Sequence, residues 1–404
     1  MTIQKLAAAS WLGLVGSYAL ASEVRLDTHV VTPSGVEQLL FNLAGNAEVV
    51  DEQALNLVGH KHIQESLVRV AGANLARGNG QEYLPALRSP VLTGAGACGS
   101  VLSAVDGIAL RSAGFCNVNE LFDAPSEMAS SIEVVRGPGS VLFGSNAMHG
   151  VVNIITPRVS IEPNSTAAME VGPHNYQRLT LGGSVNNTQR QGLRAHVSIT
   201  HDGGERDDSG FDQQKIMLRH EYSGQQMEVT STFSGSNLNQ QTAGYITGKN
   251  AYKNDELKHT NPNPEAFRKS QSTRWASKVD YRINQQQHIT VTPYARHTHM
   301  DFLMHFLPGD PLEENSQVSL GVHSAYYIKV SPVVDFIAGM ELEKTQASLK
   351  QSQDAPTQGS AFLQNDFISK KTRNTFWTPQ ILPNGSETPN GYALGWRFMT
   401  IKDD

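Results

Sequence analysis

Apolar and polar residues alternate with a period of two along most of the chain between residues 165 and 350. The alternation is clear in Leu193–Thr200 and in Lys215–Tyr222. It recurs in Tyr176–Val185, Gln226–Phe233, Thr273–Ile283, Ile289–Ala295, Val318–Ile328 and Asp335–Leu342. Such alternation with polar gaps is typical of strands that have two different faces, so we predict about eight or nine antiparallel strands. The polar segment Asn237–Lys269 is predicted to be a long external loop.

Residues 41–157 have a different pattern, in which short β-prone runs surround one helical segment. Apolar residues fall at helical spacing in His62–Val70, and Gly72 follows as a terminator. Short strands are predicted at Glu48–Asp51, Leu84–Leu92, Val101–Leu110, Ile132–Val135 and Val151–Thr156. The pattern indicates an α+β unit ahead of the strand-rich region.

The N-terminus is typical of an exported protein. Lys5 precedes the apolar run Leu6–Tyr18, and Ala19-Leu20-Ala21 is a suitable cleavage site, so residues 1–21 are predicted to be a signal peptide. The apolar run is shorter than the roughly 20 residues that a membrane-spanning helix requires. No other stretch is long and apolar enough, so a membrane location would require a closed β-barrel.

One segment, Ile132–Thr156, concentrates glycine and proline between two β-rich runs and reads IEVVRGPGSVLFGSNAMHGVVNIIT. It closely resembles the end of the plug domain of TonB-dependent outer-membrane receptors. The resemblance implies an α+β plug domain, residues 41–157, followed by an antiparallel transmembrane β-barrel. It assigns the plug motif and a charged lock between plug and barrel wall to Glu133, Arg136, Gly137, Pro138 and Gly144.

The resemblance extends to other parts of the N-terminal region. Residues 22–40 contain Asp27-Thr28-His29-Val30-Val31-Thr32, which resembles the TonB box, the segment that pairs as an added strand with the TonB energy-coupling protein. EYLPALRSPVLTGAG, VDGIALR and NVNELFD stand where the family has plug strands and ligand-facing loops. Ligand contacts would therefore come from Arg88, Arg111 and Asn119.

The cysteines Cys98 and Cys116 both lie in the proposed plug. An oxidising periplasm would favour a disulfide between them, which closes a loop and could stabilise the fold by about 3 kcal/mol. Two unrelated buried thiols remain the alternative, and a two-cysteine metal site is less favoured because no histidine lies close in sequence.

The predicted strands are too few for a complete plug-bearing barrel, which needs about 22 strands. Residues 165–363 are therefore predicted to be a partial barrel that cannot transport as it stands, because open edges in hydrocarbon are costly. The tail, residues 364–404, contains Phe376-Trp377-Thr378-Pro379-Gln380 and resembles a late segment of serine β-lactamase-like hydrolases. No Ser-x-x-Lys motif accompanies it, and a divergent barrel strand is the alternative.

Composition narrows the function further. The formal net charge of −6 argues against a nucleic-acid binder, and the mean hydropathy of −0.33 suits barrel strands that have one polar face. His297, His299 and Met304 could suggest a metal site, but polarity at a strand end is the simpler interpretation. We predict no catalytic residue, no cofactor and no resident metal.

The expected function is TonB-dependent uptake of a scarce metal chelate, an iron–siderophore by default, at the cell outer membrane. Its partners would be TonB, the chelate and outer-membrane lipid. Two alternatives stay open at this point: a serine hydrolase fused to a β domain, which an ester or nitrocefin assay would detect, and a periplasmic plug-like binding module, which fractionation would separate from a membrane protein.

Overall fold

The computed structural model describes residues 29–31, 37–39, 46–91, 100–112, 119–139, 146–188, 190–307, 309–331, 334–352, 368–385, 394–395 and 398–403. The predicted signal peptide lies outside these residues. Near the N-terminus, β1 (His29–Val31) pairs antiparallel with β2 (Glu37–Leu39). Part of the proposed TonB box is therefore an extended strand that pairs with its own chain.

The plug contains seven strands and two short helices. They are β3 (Asn46–Asp51), α1 (Glu52–Val58), α2 (Gln64–Leu67), β4 (Ala73–Arg77), β5 (Tyr83–Leu87), β6 (Val101–Val105), β7 (Ile108–Ala109), β8 (Ser131–Arg136) and β9 (Gly150–Ile155). Five strands form a mixed sheet in the order β3-β8-β9-β6-β7, in which β6 and β9 are parallel. Strands β4 and β5 form a separate hairpin, and 3-10 turns at Leu121–Asp123 and Ser126–Met128 lead into β8.

Local capping explains the first helix better than periodicity does. Helix α1 was not predicted, and it begins where the Asp51 carboxylate accepts a hydrogen bond from the Ala54 amide at 2.8 Å. It ends at Gly59, whose φ of 52° is left-handed. The predicted helix over His62–Val70 is only the single turn α2. Its apolar side chains pack in the plug core, and the chain continues as tight turns up to Gly72.

The plug has its own apolar core. Leu67, Leu110, Ile132, Val134 and Ile154 are fully buried between the mixed sheet and the two helices. Burying such side chains stabilises by about 1.5–3 kcal/mol each. The plug is therefore a domain with its own hydrophobic core, which agrees with the α+β prediction.

Nine long strands, each antiparallel to the next, form the wall around the plug. They are β10 (Asn164–Gly172), β11 (Tyr176–Thr188), β12 (Gln191–Asp202), β13 (Phe211–Ser223), β14 (Met227–Gln241), β15 (Phe267–Arg282), β16 (Gln287–Leu303), β17 (Leu312–Ser331) and β18 (Val334–Ser352). Among the described residues, the first and last strands of this sheet do not pair with each other, so the sheet is open. The predicted incomplete antiparallel barrel is confirmed.

The structure corrects three details of the wall. Strand β10 was missed because its sequence, NSTAAMEVG, is short and weakly apolar. The predicted loop Asn237–Lys269 is shorter, spanning residues 242–266, because β14 and β15 continue beyond their apolar segments. The tail forms β19 (Ile368–Gly385), which pairs with β18, followed by β20 (Leu394–Gly395) and β21 (Phe398–Asp403), which pair with β19. The tail's backbone therefore continues the sheet and gives no support to the hydrolase-like interpretation.

The wall is apolar outside and polar inside, the reverse of a water-soluble sheet. Exposed side chains on its outer face include Leu179, Leu181, Ile199, Val318 and Leu320. The alternate positions bury Arg178, Lys215, Arg268, Arg274 and Arg296 against the plug. This inversion is characteristic of a sheet whose outer face meets lipid.

The two ends of the wall differ in their connections. Residues 203–210, 242–266 and 304–311 lie at one end, called here the long-loop end, whereas residues 224–226 and 283–286 are tight turns at the other. In transmembrane barrels the longer loops face outside the cell. None of the helices in the described part of the chain has the length and apolar character to cross a bilayer.

We expect Gly150→Ala to destabilise the plug. A Cβ at Gly150 would lie 2.4 Å from the Val135 carbonyl oxygen and 2.6 Å from Leu87 Cδ1, so β8 and β9 would have to separate. The expected cost is about 1–3 kcal/mol, measurable as faster hydrogen exchange of the β8 and β9 amides. Gly183→Ala, whose Cβ would meet its nearest atom at 3.3 Å, is the control, and equal exchange rates in both variants would contradict the prediction.

Candidate functional site

The two residues predicted to form the lock lie in the plug sheet. The Glu133 side chain is buried and accepts a hydrogen bond from Asn153 Nδ2 at 3.2 Å. Arg136 forms an ion pair with Glu48 at 3.0 Å and donates to the Ala71 carbonyl at 2.5 Å. The Arg136 contacts are therefore made inside the plug, and its role in a lock to the wall stays a prediction.

The glycine and proline residues of the motif shape the turn after β8. Gly137 has a φ of 104°, which a side chain would disfavour, and its amide donates to the His149 carbonyl at 2.8 Å. Pro138 follows on the surface, and the Gly139 amide donates to the Ala147 carbonyl at 2.9 Å. The turn therefore brings the end of β8 back to the start of β9. Gly144 lies outside the described residues, as do Cys98, Cys116, Asp27, Thr28 and Thr32.

Only one of the three residues predicted to face the ligand is exposed. Arg88 is exposed in a left-handed turn with a φ of 49°. Arg111 and Asn119 are instead buried where the plug meets the wall. Each has a polar partner there, and the contact of Arg88, Arg111 and Asn119 with a ligand stays a prediction.

The centre of the contact between plug and wall is the Asp123 carboxylate, whose side chain is 0% exposed. Arg111 of the plug donates to Asp123 Oδ2 at 3.1 Å, and Ser270 of β15 donates to Oδ1 at 3.1 Å. Arg274 of β15 donates to the Asp123 carbonyl at 3.0 Å, while Glu120 lies 3.6 Å from Arg111. A buried carboxylate needs such partners to remain charged.

Arg268 makes a second contact nearer the long-loop end. Its guanidinium pairs with Glu82 of the plug at 2.9 Å and donates to Asn119 Oδ1 at 3.3 Å. Its other face lies against the Phe302 ring, with 3.7 Å between the guanidinium carbon and the ring centroid. One wall side chain therefore contacts two separate segments of the plug and an aromatic residue of the wall.

A third contact surrounds His60. Its ring is within hydrogen-bonding distance of Ser66 Oγ at 2.9 Å and Ser126 Oγ at 3.2 Å. The neighbouring Glu127 pairs with Lys215 of β13 at 2.8 Å. Burial alone would raise the pKa of Glu127, but the Lys215 ammonium outweighs it and holds that pKa below its usual range. Burial lowers the pKa of His60 to about 4, so the ring is neutral at physiological pH.

Further wall residues donate to backbone oxygens of the plug. Arg178 binds the His60 carbonyl at 2.6 Å, Gln213 the Phe122 carbonyl at 2.8 Å and Arg296 the Ala109 carbonyl at 2.7 Å. These contacts are polar, and one apolar contact accompanies them, in which Phe122 of the plug packs with Phe211, Leu238 and Phe302 of the wall.

A cavity of about 770 Å³ lies between plug and wall towards the short-turn end. Asp106, Glu133 and Thr156 line it from the plug, and Arg219 and Lys278 line it from the wall. Arg219 donates to Thr156 Oγ1 at 2.7 Å across its edge. The lining is charged and hydroxyl-rich, which suits water and polar solutes.

Sequence reasoning missed the wall residues that bind the plug. These residues could have been recognised by their spacing. Arg268, Ser270, Ser272 and Arg274 occupy alternate positions of β15, and the exposed Trp275 lies on the opposite face of that strand. Within the described residues, no group of three or more metal-ligating side chains comes together. His297 and His299 lie on the outer face of β16.

Comparisons with known proteins identify the plug and the fold. Residues 40–151 match the family model for the TonB-dependent Receptor Plug Domain. The fold is also similar to the siderophore receptor PiuA from Acinetobacter baumannii, with 13% identity, a TM-score of 0.65 and coverage of 91% of this chain and 62% of that one. The chain therefore carries a TonB-dependent receptor plug domain, and its plug and wall together have the fold of the receptor it matches.

Two further structures extend the likeness. The ferripyoverdine receptor of the Pseudomonas aeruginosa outer membrane, bound to ferripyoverdine, has 9% identity and a TM-score of 0.74, covering 93% of this chain and 54% of that one. The ferric citrate transporter FecA in its unliganded form has 15% identity and a TM-score of 0.67, covering 89% and 60%. This chain therefore spans little more than half the length of the receptors it matches.

We expect Asp123→Asn to weaken the attachment of the plug. The amide keeps the shape of the carboxylate but removes the charge that faces Arg274 and leaves Arg111 with the longer Glu120 contact, which costs about 3 kcal/mol for a buried pair. Hydrogen exchange over residues 119–128 should rise markedly. Asp255→Asn, which removes an exposed partner of Lys258, is the matched control, and identical exchange in the two variants would refute the assignment.

We also expect the plug contact around His60 to weaken in acid. Burial lowers the pKa of His60 from 6.5 to about 4. The negative charge of Glu127 opposes this lowering, and the positive charges of Arg178 and Lys215 add to it. The unfolded state then binds more protons, so stability is lost as pH falls from 6.5 towards 4, by an amount on the order of 3 kcal/mol. The lowered pKa of Glu127 adds a loss at still lower pH.

The test is the pH dependence of unfolding for the receptor and for His60→Gln. The variant lacks the ionisable ring, so its unfolding free energy should fall less steeply between about pH 6.5 and about pH 4. Parallel slopes would mean that His60 is not the group that titrates.

Proposed function

We propose that the receptor takes up a scarce metal chelate, with an iron–siderophore as the first candidate, across the cell outer membrane with energy from TonB. The observation that carries the proposal is a plug, matched by its family model, that the wall contacts through buried ion pairs together with one apolar cluster around Phe122. The structures it resembles are named as receptors or transporters of a siderophore, ferripyoverdine and ferric citrate, which favours a ferric chelate as the cargo.

The contacts between plug and wall suit a reversible gate. Each hydrogen bond to a charged group contributes about 1.5–3 kcal/mol, because water replaces the partner when the bond breaks. A pull on the plug can therefore break the bonds to Asp123, Glu127 and Glu82 in succession, after which they re-form. An apolar interface would instead have to expose its whole area.

The outer face of the wall supports a membrane location over a periplasmic binding module. Large apolar side chains such as Leu320 and Ile199 are exposed there in the phase opposite to the buried arginines. In water such a surface would promote association, whereas in a bilayer it contacts lipid. Membrane fractionation is the direct check.

Coupling would use the strand β1, and proline provides the test. Val30→Pro removes an amide that an added partner strand requires. In the complete receptor, the variant should lose chelate uptake and capture of the TonB periplasmic domain while it still binds chelate. Val36→Pro, which lies outside residues 27–32, is the control. Unchanged capture of TonB by Val30→Pro would contradict the assignment of residues 27–32.

A further inference from the structure

Two arginines of the wall lie side by side against the plug. Arg274 of β15 and Arg296 of β16 are directly opposite each other in the strand register, and Ser234 of β14 is opposite Arg274 on its other side. Side chains in such positions have Cβ atoms about 4.5–5.5 Å apart, and like charges placed there repel each other. The two side chains are only 8% and 4% exposed. This arginine pair, Arg274 and Arg296, therefore needs negative charge close by.

The carboxylates near the arginine pair leave part of both guanidinium groups unused. Nη2 of Arg296 donates to both oxygens of Glu343, at 2.5 and 2.6 Å. Asp123 Oδ2 lies 3.8 Å from Arg274 Nη2, which is too far for a hydrogen bond, and it also accepts from Arg111 at 3.1 Å. Arg274 therefore has only a share of the carboxylate that faces it.

Three N–H groups of the arginine pair have no hydrogen-bond partner among the described residues. They are Nε and Nη2 of Arg274 and Nε of Arg296, and all three nitrogen atoms are buried. A buried donor that lacks a partner is costly, and the cost is larger for a charged group. Buried polar groups are normally paired with protein, with water or with a bound ligand.

A small cavity of about 20 Å³ adjoins both arginines. Val105, Ile108 and Thr156 close it from the plug, and Thr232 and Ser234 line it from β14. A cavity of this volume holds one guest about the size of a water molecule. Because the plug supplies one side of the cavity, the site is complete only while the plug is seated against the wall.

The chemistry of the lining favours an anion over water. The described residues that line the cavity are the two arginines, hydroxyl-bearing residues and apolar residues, and no carboxylate is among them. A buried water typically makes about three hydrogen bonds and has to donate in some of them. A halide ion only accepts, so it can be bound by the three N–H groups and by the hydroxyls of Thr232 and Ser234 without an acceptor in return. Its charge also offsets the repulsion within the arginine pair.

We propose that the arginine pair binds a single monatomic anion, chloride, between the plug and the wall. Nε and Nη2 of Arg274 and Nε of Arg296 donate to the ion. The same two arginines donate to plug carbonyls, those of Asp123 at 3.0 Å and Ala109 at 2.7 Å. An ion bound there stabilises the seated position of the plug. The inference goes beyond the proposed function and does not depend on which solute the chain takes up.

The test is hydrogen exchange over residues 119–128 of the detergent-solubilised chain in chloride, in bromide and in gluconate, at constant ionic strength. An ion that binds only the seated state slows exchange by a factor of one plus the ratio of its concentration to its dissociation constant. At about ten times the dissociation constant of chloride, exchange should be about tenfold slower than in gluconate. Bromide, which is also monatomic, should act like chloride, and gluconate is too large to enter.

Two variants probe the site in different ways. Arg274→Lys keeps the positive charge but removes the Nε and Nη2 donors, and Ala276→Val fills the cavity while both arginines stay. Each variant should lose most of the difference between chloride and gluconate. Circular dichroism establishes that the sheet is intact, and Ala276→Val decides the matter if Arg274→Lys does not fold.

Arg178→Lys is the matched control. Arg178 is also a buried arginine of the wall that donates to a plug carbonyl, that of His60, but it does not line this cavity. The control variant should keep the full difference between chloride and gluconate. Loss of that difference in Arg178→Lys would show that any weakening of the plug contacts removes it, and would overturn the site.

Two further outcomes would overturn the proposal. Equal exchange of the parent chain in chloride, bromide and gluconate would show that no halide binds. An undiminished chloride effect in Ala276→Val would show that chloride acts outside the cavity. None of these measurements involves a chelate or TonB, so failure of the anion site would leave the proposed uptake standing. A halide effect that is lost in both site variants would support the anion site even if the chain took up no chelate.

Discussion

The architecture depends on one carboxylate that is buried between the plug and the wall. Asp123 lies where the plug's 3-10 turn reaches β15, and its carboxylate is paired with Arg111 of its own domain and with Arg274 and Ser270 of the wall. Removing a charge from water at this depth is costly, so the partners must be present together. The position of the plug is thus fixed by a requirement for charge compensation and not by shape alone.

The plug and the wall are stabilised by different means. The plug closes on an apolar core around Ile132, Val134 and Ile154, and its sheet needs no contribution from the wall. The wall has polar residues inside and apolar residues outside, so its fold depends on backbone hydrogen bonds between strands. This division lets the plug keep its own structure while its contacts with the wall change.

The sequence predicted the wall well because period-two alternation is local, and it predicted the plug's end because the turn at Gly137 demands glycine. The sequence did not predict contacts between side chains that are far apart along the chain. Arg268 was assigned to a loop, because residues 268–274 of β15 are polar on both faces and the alternation disappears there. The burial of Asn119 was not foreseen either, because its partner Arg268 is more than a hundred residues away in the sequence.

The inward cations of the wall have one more consequence. Arg178, Lys215, Arg268, Arg274 and Arg296 project along β11, β13, β15 and β16 towards the plug, which supplies most of the opposing carboxylates. With the plug displaced, that surface becomes a positively charged inner lining. Negatively charged solutes would concentrate along it and cations would be repelled, so the space that the plug vacates is electrostatically selective before any specific contact is made.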